Sequence, residues 1–109
     1  MTVVAPGLED EPLVLDAPPD AVEVLRVSAG GDVKAIAGAI AGCVRRSGSV
    51  VLEVVGAGAL NQAVKAAAVA RAITTREGLD LVVTPSFTCV EIDGDERTAL
   101  RLLVDHRRN

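Results

Sequence analysis

Phe87 is the only aromatic residue in a chain of 109 residues, yet half of that chain is apolar. This pairing constrains the fold more than any motif does. The apolar half is mostly Ala, Val, Leu and Ile, so few large side chains exist to fill space between layers. A core must come from close approach of secondary-structure elements through small residues. The same scarcity excludes an aromatic platform on which nucleobases could stack. The length is that of one domain.

The apolar residues fall into short and long runs with clear punctuation. Val22 to Val27 reads as a strand, Gly30-Gly31 as a turn, and Asp32 as the cap of a following helix. Val33, Ile36, Ala37, Ile40, Ala41 and Val44 share one helical face. Gly38 and Gly42, four apart, offer a place where another backbone can come close, at a cost in helix propensity. Arg45 and Arg46 suit the negative end of this helix, and Gly48 stops it. Val50 to Val55 is a second strand. Leu60 to about Arg76 is a second helix, with a narrow face of Leu60, Ala63, Ala67, Ala70 and Thr74, and Gly78 ends it. Leu79 to Val83 is strand-like, Pro85 predicts a bend or bulge, and Phe87 to Ile92 alternates. Asp93-Gly94 is a hairpin signal, and Arg97 to Val104 is the return strand. The order is β-α-β-α-β-β. Right-handed crossovers make the first strands parallel and place both helices on one face of the sheet, an α+β two-layer sandwich.

Charge is unevenly placed. Residues 1–20 hold Pro6, Pro12, Pro18 and Pro19 and the acids Glu9, Asp10, Glu11, Asp16 and Asp20, with no Lys or Arg. They read as an acidic, Pro-rich, disordered tail, in which Leu13-Val14-Leu15 is the one stretch able to pair at a sheet edge. Residues 21–109 form the domain and carry the other ten acids and all eleven bases. A body so close to neutral lacks the broad positive field that drives non-specific DNA binding, so any nucleic-acid site must be a local cluster. No apolar run is long enough for a membrane span, and no basic n-region leads an apolar stretch. A cytoplasmic protein is expected. Cys43 and Cys89, in apolar segments, read as buried small hydrophobes.

Several stretches together resemble a known family. They are Glu23 to Ser28, Ala37 to Gly42, the whole of Gly56 to Ala66 (GAGALNQAVKA), Ala70-Arg71, Ser86 to Thr88, and Ile92 to Ala99. Over about Glu23 to Asp105 they resemble stage V sporulation protein S, a family similar to the Alba chromatin and RNA-binding proteins. The resemblance implies an Alba-like four-stranded mixed sheet of order 1-2-4-3, a dimer or tetramer, and DNA or RNA as partner. It also implies a developmental or sporulation regulator. The family often has a Lys just after the first strand. Here that position is Gly30, and the nearest base is Lys34. The hairpin tip is acidic.

The Gly56-Ala57-Gly58 turn has three readings. A dinucleotide loop needs a third glycine where Asn61 stands, and an acid closing the next strand where Asp80 opens it. A phosphate site is better served. Free N–H groups at the start of the second helix favour an anion. Gly56 and Gly58 let it approach, Asn61 and Gln62 can donate, and Lys65 lies one turn on. Lys34, Arg71 and Arg97 are lesser candidates. The bland reading is a tight strand-to-helix turn that packs a helix closely. No catalytic constellation, cofactor loop or metal-ligand spacing is present, and His106 reads as a solvated terminal residue. A non-enzymatic protein is expected, with a protein-interaction module as the alternative to nucleic-acid binding.

With order 1-2-4-3, the sheet face away from the helices can be read as well. Thr98, Leu100, Leu102 and Val104 should face the core, and Arg97, Ala99, Arg101 and Leu103 should face out. Arg26, Glu53, Arg101 and Glu91 then form a row alternating in sign. Val51, Val55, Phe87, Cys89 and Leu103 flank it as an apolar patch, the mark of a self-association surface.

Overall fold

The computed structural model describes residues 22–107. The acidic segment 1–20 and its Leu13-Val14-Leu15 lie outside the described residues. Four strands and two helices follow in the order β1 (Val24–Val27), α1 (Val33–Ser47), β2 (Val50–Val54), α2 (Ala57–Thr74), β3 (Leu81–Ile92) and β4 (Asp95–His106). A short 3-10 turn, Thr75–Glu77, closes α2. The sheet order is β1-β2-β4-β3, with β1 and β2 parallel and the remaining pairs antiparallel.

The punctuation works as its chemistry predicts. Asp32 takes an extended conformation, and its carboxylate accepts from the Lys34 N–H at 3.0 Å. Gly48 ends α1 in the left-handed region at φ 88°, where a Cβ would be strained. Asp93 and Gly94 both have positive φ, at 52° and 84°, and join Ile92 to Asp95 as a two-residue hairpin. The second helix begins at Ala57, three residues before the expected Leu60, because the glycine turn is itself the helix start.

The core is built from small side chains. Ala37 and Ile40 of α1 meet Ala59, Ala63, Ala66 and Ala70 of α2 in one buried cluster, together with Leu52, Val54, Leu102 and Val104 of the sheet. Every sheet residue in the cluster belongs to one face, so both helices cover that face. The close approach does not use the glycines of α1. A Cβ on Gly38 would meet nothing within 4 Å, and one on Gly42 would meet only the Arg46 side chain. Fully buried alanines bring the helices together instead.

Strand β3 corrects three expectations. It runs unbroken through Pro85, which pairs with Leu102. β3 is an edge strand, and a proline without an N–H is tolerated where one row of donors has no neighbour. The continuous ladder puts Ser86, not Glu91, opposite Arg101, and Glu91 faces Glu96. Phe87 and Cys89 then pair with Leu100 and Thr98 and share the helix-side face, so they do not flank an outer patch. Thr98 has that orientation too, but it sits on the arm beyond β2 and is exposed.

His106 also differs from expectation. It ends β4 opposite Leu81, and the next residue is tied down, with the Arg107 N–H donating to the Asp80 carbonyl at 2.7 Å. Cys43 is buried and Cys89 half-buried, and both are free thiols. The Cys43 thiol donates to Glu23 Oε2 at 3.1 Å, and burial pushes its pKa up.

Exposed ion pairs tie separate elements of the fold together. Arg46 holds Glu23, Arg45 holds Glu77, and Arg71 and Arg107 both hold Asp80. Hydrogen bonds from Cys43, then Arg46, lower the Glu23 pKa, and the Arg45 side chain lowers that of Glu77. Asp80 is lowered chiefly by its bond from Arg71. A carboxylate depressed in the folded state stabilises it above the unfolded pKa, and that stability is lost as pH falls through the folded value. The melting midpoint should therefore be flat from pH 8 to about 5 and fall below about pH 4, where ordinary carboxylates titrate. In Asp80→Asn the midpoint at pH 7 should drop and its acid decline should shrink. Circular-dichroism melts across pH check this, and an acid decline as steep as the parent's would contradict it.

Candidate nucleic-acid interface

β1 and β2 are parallel and each feeds a helix, so both helix N-termini and both connecting loops emerge at one end of the sheet. In open sheets of this kind, ligands favour the carboxyl ends of the strands. The loops are joined there. Gln62 of α2 donates its side-chain amide to the Gly31 carbonyl at 2.8 Å. Gly58 packs on the other loop so closely that a Cβ would lie 3.0 Å from the Ala29 Cβ. Two of the expected phosphate contacts thus hold loop to helix.

The remaining residues of the turn face outward. Gly56 is the N-cap of α2, at φ 88° and ψ 162°, with no side-chain cap bond. A Cβ placed on it would meet nothing within 4 Å. The two helix starts therefore differ, since α1 carries its own carboxylate, Asp32, and α2 carries none. Gly56, Ala57, Gly58, Asn61 and Lys65 are all exposed. Phe87 and Leu60 border the same turn, which gives it an apolar floor.

The cations divide into free and engaged. Lys34, Lys65, Arg76 and Arg97 make no ion pair among the described residues, whereas Arg71 is held by Asp80 at 2.8 Å. Lys34 lies in the first turn of α1, at the end where the loops emerge, whereas Lys65 lies midway along α2, about 13 Å along the axis from Gly56. Arg97 is separate, on the hairpin arm opposite Val90. Arg76, in the turn after α2, was absent from the candidates read in the sequence. Its only signal was a position beyond the helix's last periodic residue.

The same end also carries negative charge. Ile92, next to the Asp93-Gly94 hairpin turn, lines one pocket with Ser28, Ala29 and Val55, and Asp93 and Asp95 are exposed beside it in sequence. Among the described residues, no group of three or more His, Cys, Asp or Glu could hold a metal ion. No described helix is long and apolar enough to cross a membrane.

The outer sheet face carries the expected row in three of its four members. Arg26, Glu53 and Arg101 are register partners. Arg26 Nη2 lies 2.7 Å from Glu53 Oε1, and Arg101 Nε 3.6 Å from Glu53 Oε2. The apolar surface sits elsewhere than expected, since Val51 is buried and Leu103 half-buried. Val64, Ala68 and Val83 are exposed instead, in a groove between α2 and the edge strand β3 that Leu81 and Leu102 floor. Val69 and Ile73 are exposed on α2 as well, but on the side of the helix turned away from this groove. Val64 and Ala68 fall off the narrow helix face read from the sequence, which is why the groove was missed.

Compared with family models, residues 23–107 match the one described as Stage V sporulation protein S.

Proposed function

That the chain belongs to the stage V sporulation protein S family is the premise from which we propose its function. Membership suggests a sporulation-related role. Within it, the chain acts without catalysis, as an oligomeric regulator that binds the phosphate backbone of DNA or RNA. One observation carries this reading: α2 starts at an exposed Gly56 with no side-chain cap and open space around it, and Lys65, farther along the same exposed helix, makes no ion pair among the described residues. Backbone N–H groups and the helix dipole favour an anion there. Asn61 and Lys65 complete the contact, with Lys34 towards the same end.

So few contacts bind weakly in one copy. Self-association through the Val64–Val83 groove doubles them and raises avidity without new chemistry. That groove also favours a second reading, a protein-interaction module that binds no nucleic acid.

Titration of labelled DNA and RNA at two salt concentrations separates the two. Phosphate binding predicts saturable binding at low salt that weakens steeply as salt rises, because bound cations release counterions from the backbone. Absence of binding to both polymers at low salt leaves the interaction module.

A further inference from the structure

We propose that copies of the chain also meet through a second contact, in which the acidic hairpin arm of one copy lies along α2 of another, with its Glu91–Glu96 pair against Lys65 and Arg76. This contact serves the self-association proposed above and does not depend on phosphate binding.

The arm is the part of the β3–β4 ladder that runs past the end of β2. Val54 of β2 pairs with Leu100, and five register pairs lie beyond it, from Thr88–Ala99 to Ile92–Asp95. They extend about 14 Å. Within them Glu91 stands directly opposite Glu96, and both are exposed. Like charges so placed repel and weaken the strand pairing. Among the described residues neither makes an ion pair, and nor do Asp93 and Asp95 at the turn. Arg97, the one base of the arm, is next to Glu96 in the strand and so points to the other face.

The surface of α2 is the converse, since the helix contains no acid. Lys65, Val69 and Ile73 recur every four residues along one exposed stripe, and Arg76 follows in the closing turn. Val69 and Ile73 are 37% and 38% exposed, and the two cations that bracket them make no ion pair among the described residues. From Lys65 to Arg76 the stripe is about 16 Å long, close to the length of the arm. A second α2 packed on it would set cation against cation, whereas the arm brings the opposite charge.

Within one chain the two sets of charges diverge. The arm continues beyond the carboxyl end of β2. The second helix starts at that same end and runs back over the sheet, so Lys65 already lies about 13 Å behind Gly56. The acids and the cations therefore meet only between copies.

Charge reversal tests the contact in the full chain. One variant carries Glu91→Lys and Glu96→Lys, the other Lys65→Glu and Arg76→Glu. All four sites are exposed, so both variants should fold, which circular dichroism checks. In sedimentation velocity at low salt, without nucleic acid, each variant alone should associate at least ~tenfold more weakly than the parent, because like charges then face each other across the contact. An equimolar mixture of the two should recover the parent's association, since every arm again finds a helix of opposite charge. A parent that stays monomeric would overturn this contact together with the self-association itself. Parent-like association of either variant alone, or a mixture as weak as its components, would overturn this contact and leave the Val64–Val83 groove as the surface between copies.

Discussion

Ala63→Leu is expected to cost about 3 kcal/mol in urea unfolding, near the upper end for overpacking a tight core. Ala63 is fully buried between α1 and the sheet, among other alanines that have no longer side chain to move aside. With one aromatic in the chain, the layers are spaced by methyl groups, and a leucine can fit only by pushing a helix outward. Ala68→Leu, on the same helix but exposed, should change stability by no more than about 0.5 kcal/mol. Equal costs at the two sites would mean that the helices are not held at alanine distance.

Glu53→Ala should cost about 2–3 kcal/mol, below the full penalty for stranding a buried charge. The Glu53 side chain is 8% exposed and both arginines converge on it, so its loss removes the carboxylate that the two guanidiniums share. The cost is moderated because the Arg26 side chain is 69% exposed and can turn to water. Arg26→Ala should cost at most about 1 kcal/mol, as exposed pairs do. Equilibrium urea unfolding of both variants checks the order, and a larger loss for Arg26→Ala would reverse the assignment of Glu53 as the centre of the row.

Much of the fold was legible because each boundary carries its own chemistry. Asp32, Gly48, Gly78 and Asp93-Gly94 mark ends that no packing detail could shift by far. The Arg26–Glu53–Arg101 row followed from strand order and alternation. Glu91 failed as its fourth member because it pairs with Glu96, on the helix side of the sheet, and not with Arg101. The two-residue turn alone pairs Ile92 with Asp95 and carries Arg101 opposite Ser86. The unbroken pairing of Pro85 is a separate matter, set by the edge position of β3, a tertiary fact that lets proline stay in a ladder.

The candidate site was half legible. Gly-x-Gly before a helix marked the turn, and Lys65 followed by spacing. Sequence could not show that Gln62 and Gly58 are spent on the neighbouring loop, since that loop is some thirty residues away in the chain. Nor could it show that Asp80 occupies Arg71. These contacts engage Gly58, Gln62 and Arg71 within the fold, and the proposed reading rests on Gly56, Asn61 and Lys65.

The salt dependence of nucleic-acid affinity in wild type and Lys65→Ala tests that assignment most directly. If Lys65 neutralises a phosphate, the variant binds more weakly at low salt, and the slope of log K against log salt falls by about 1 per subunit engaged. An affinity and slope unchanged by the substitution would contradict the placement of the phosphate at the start of α2.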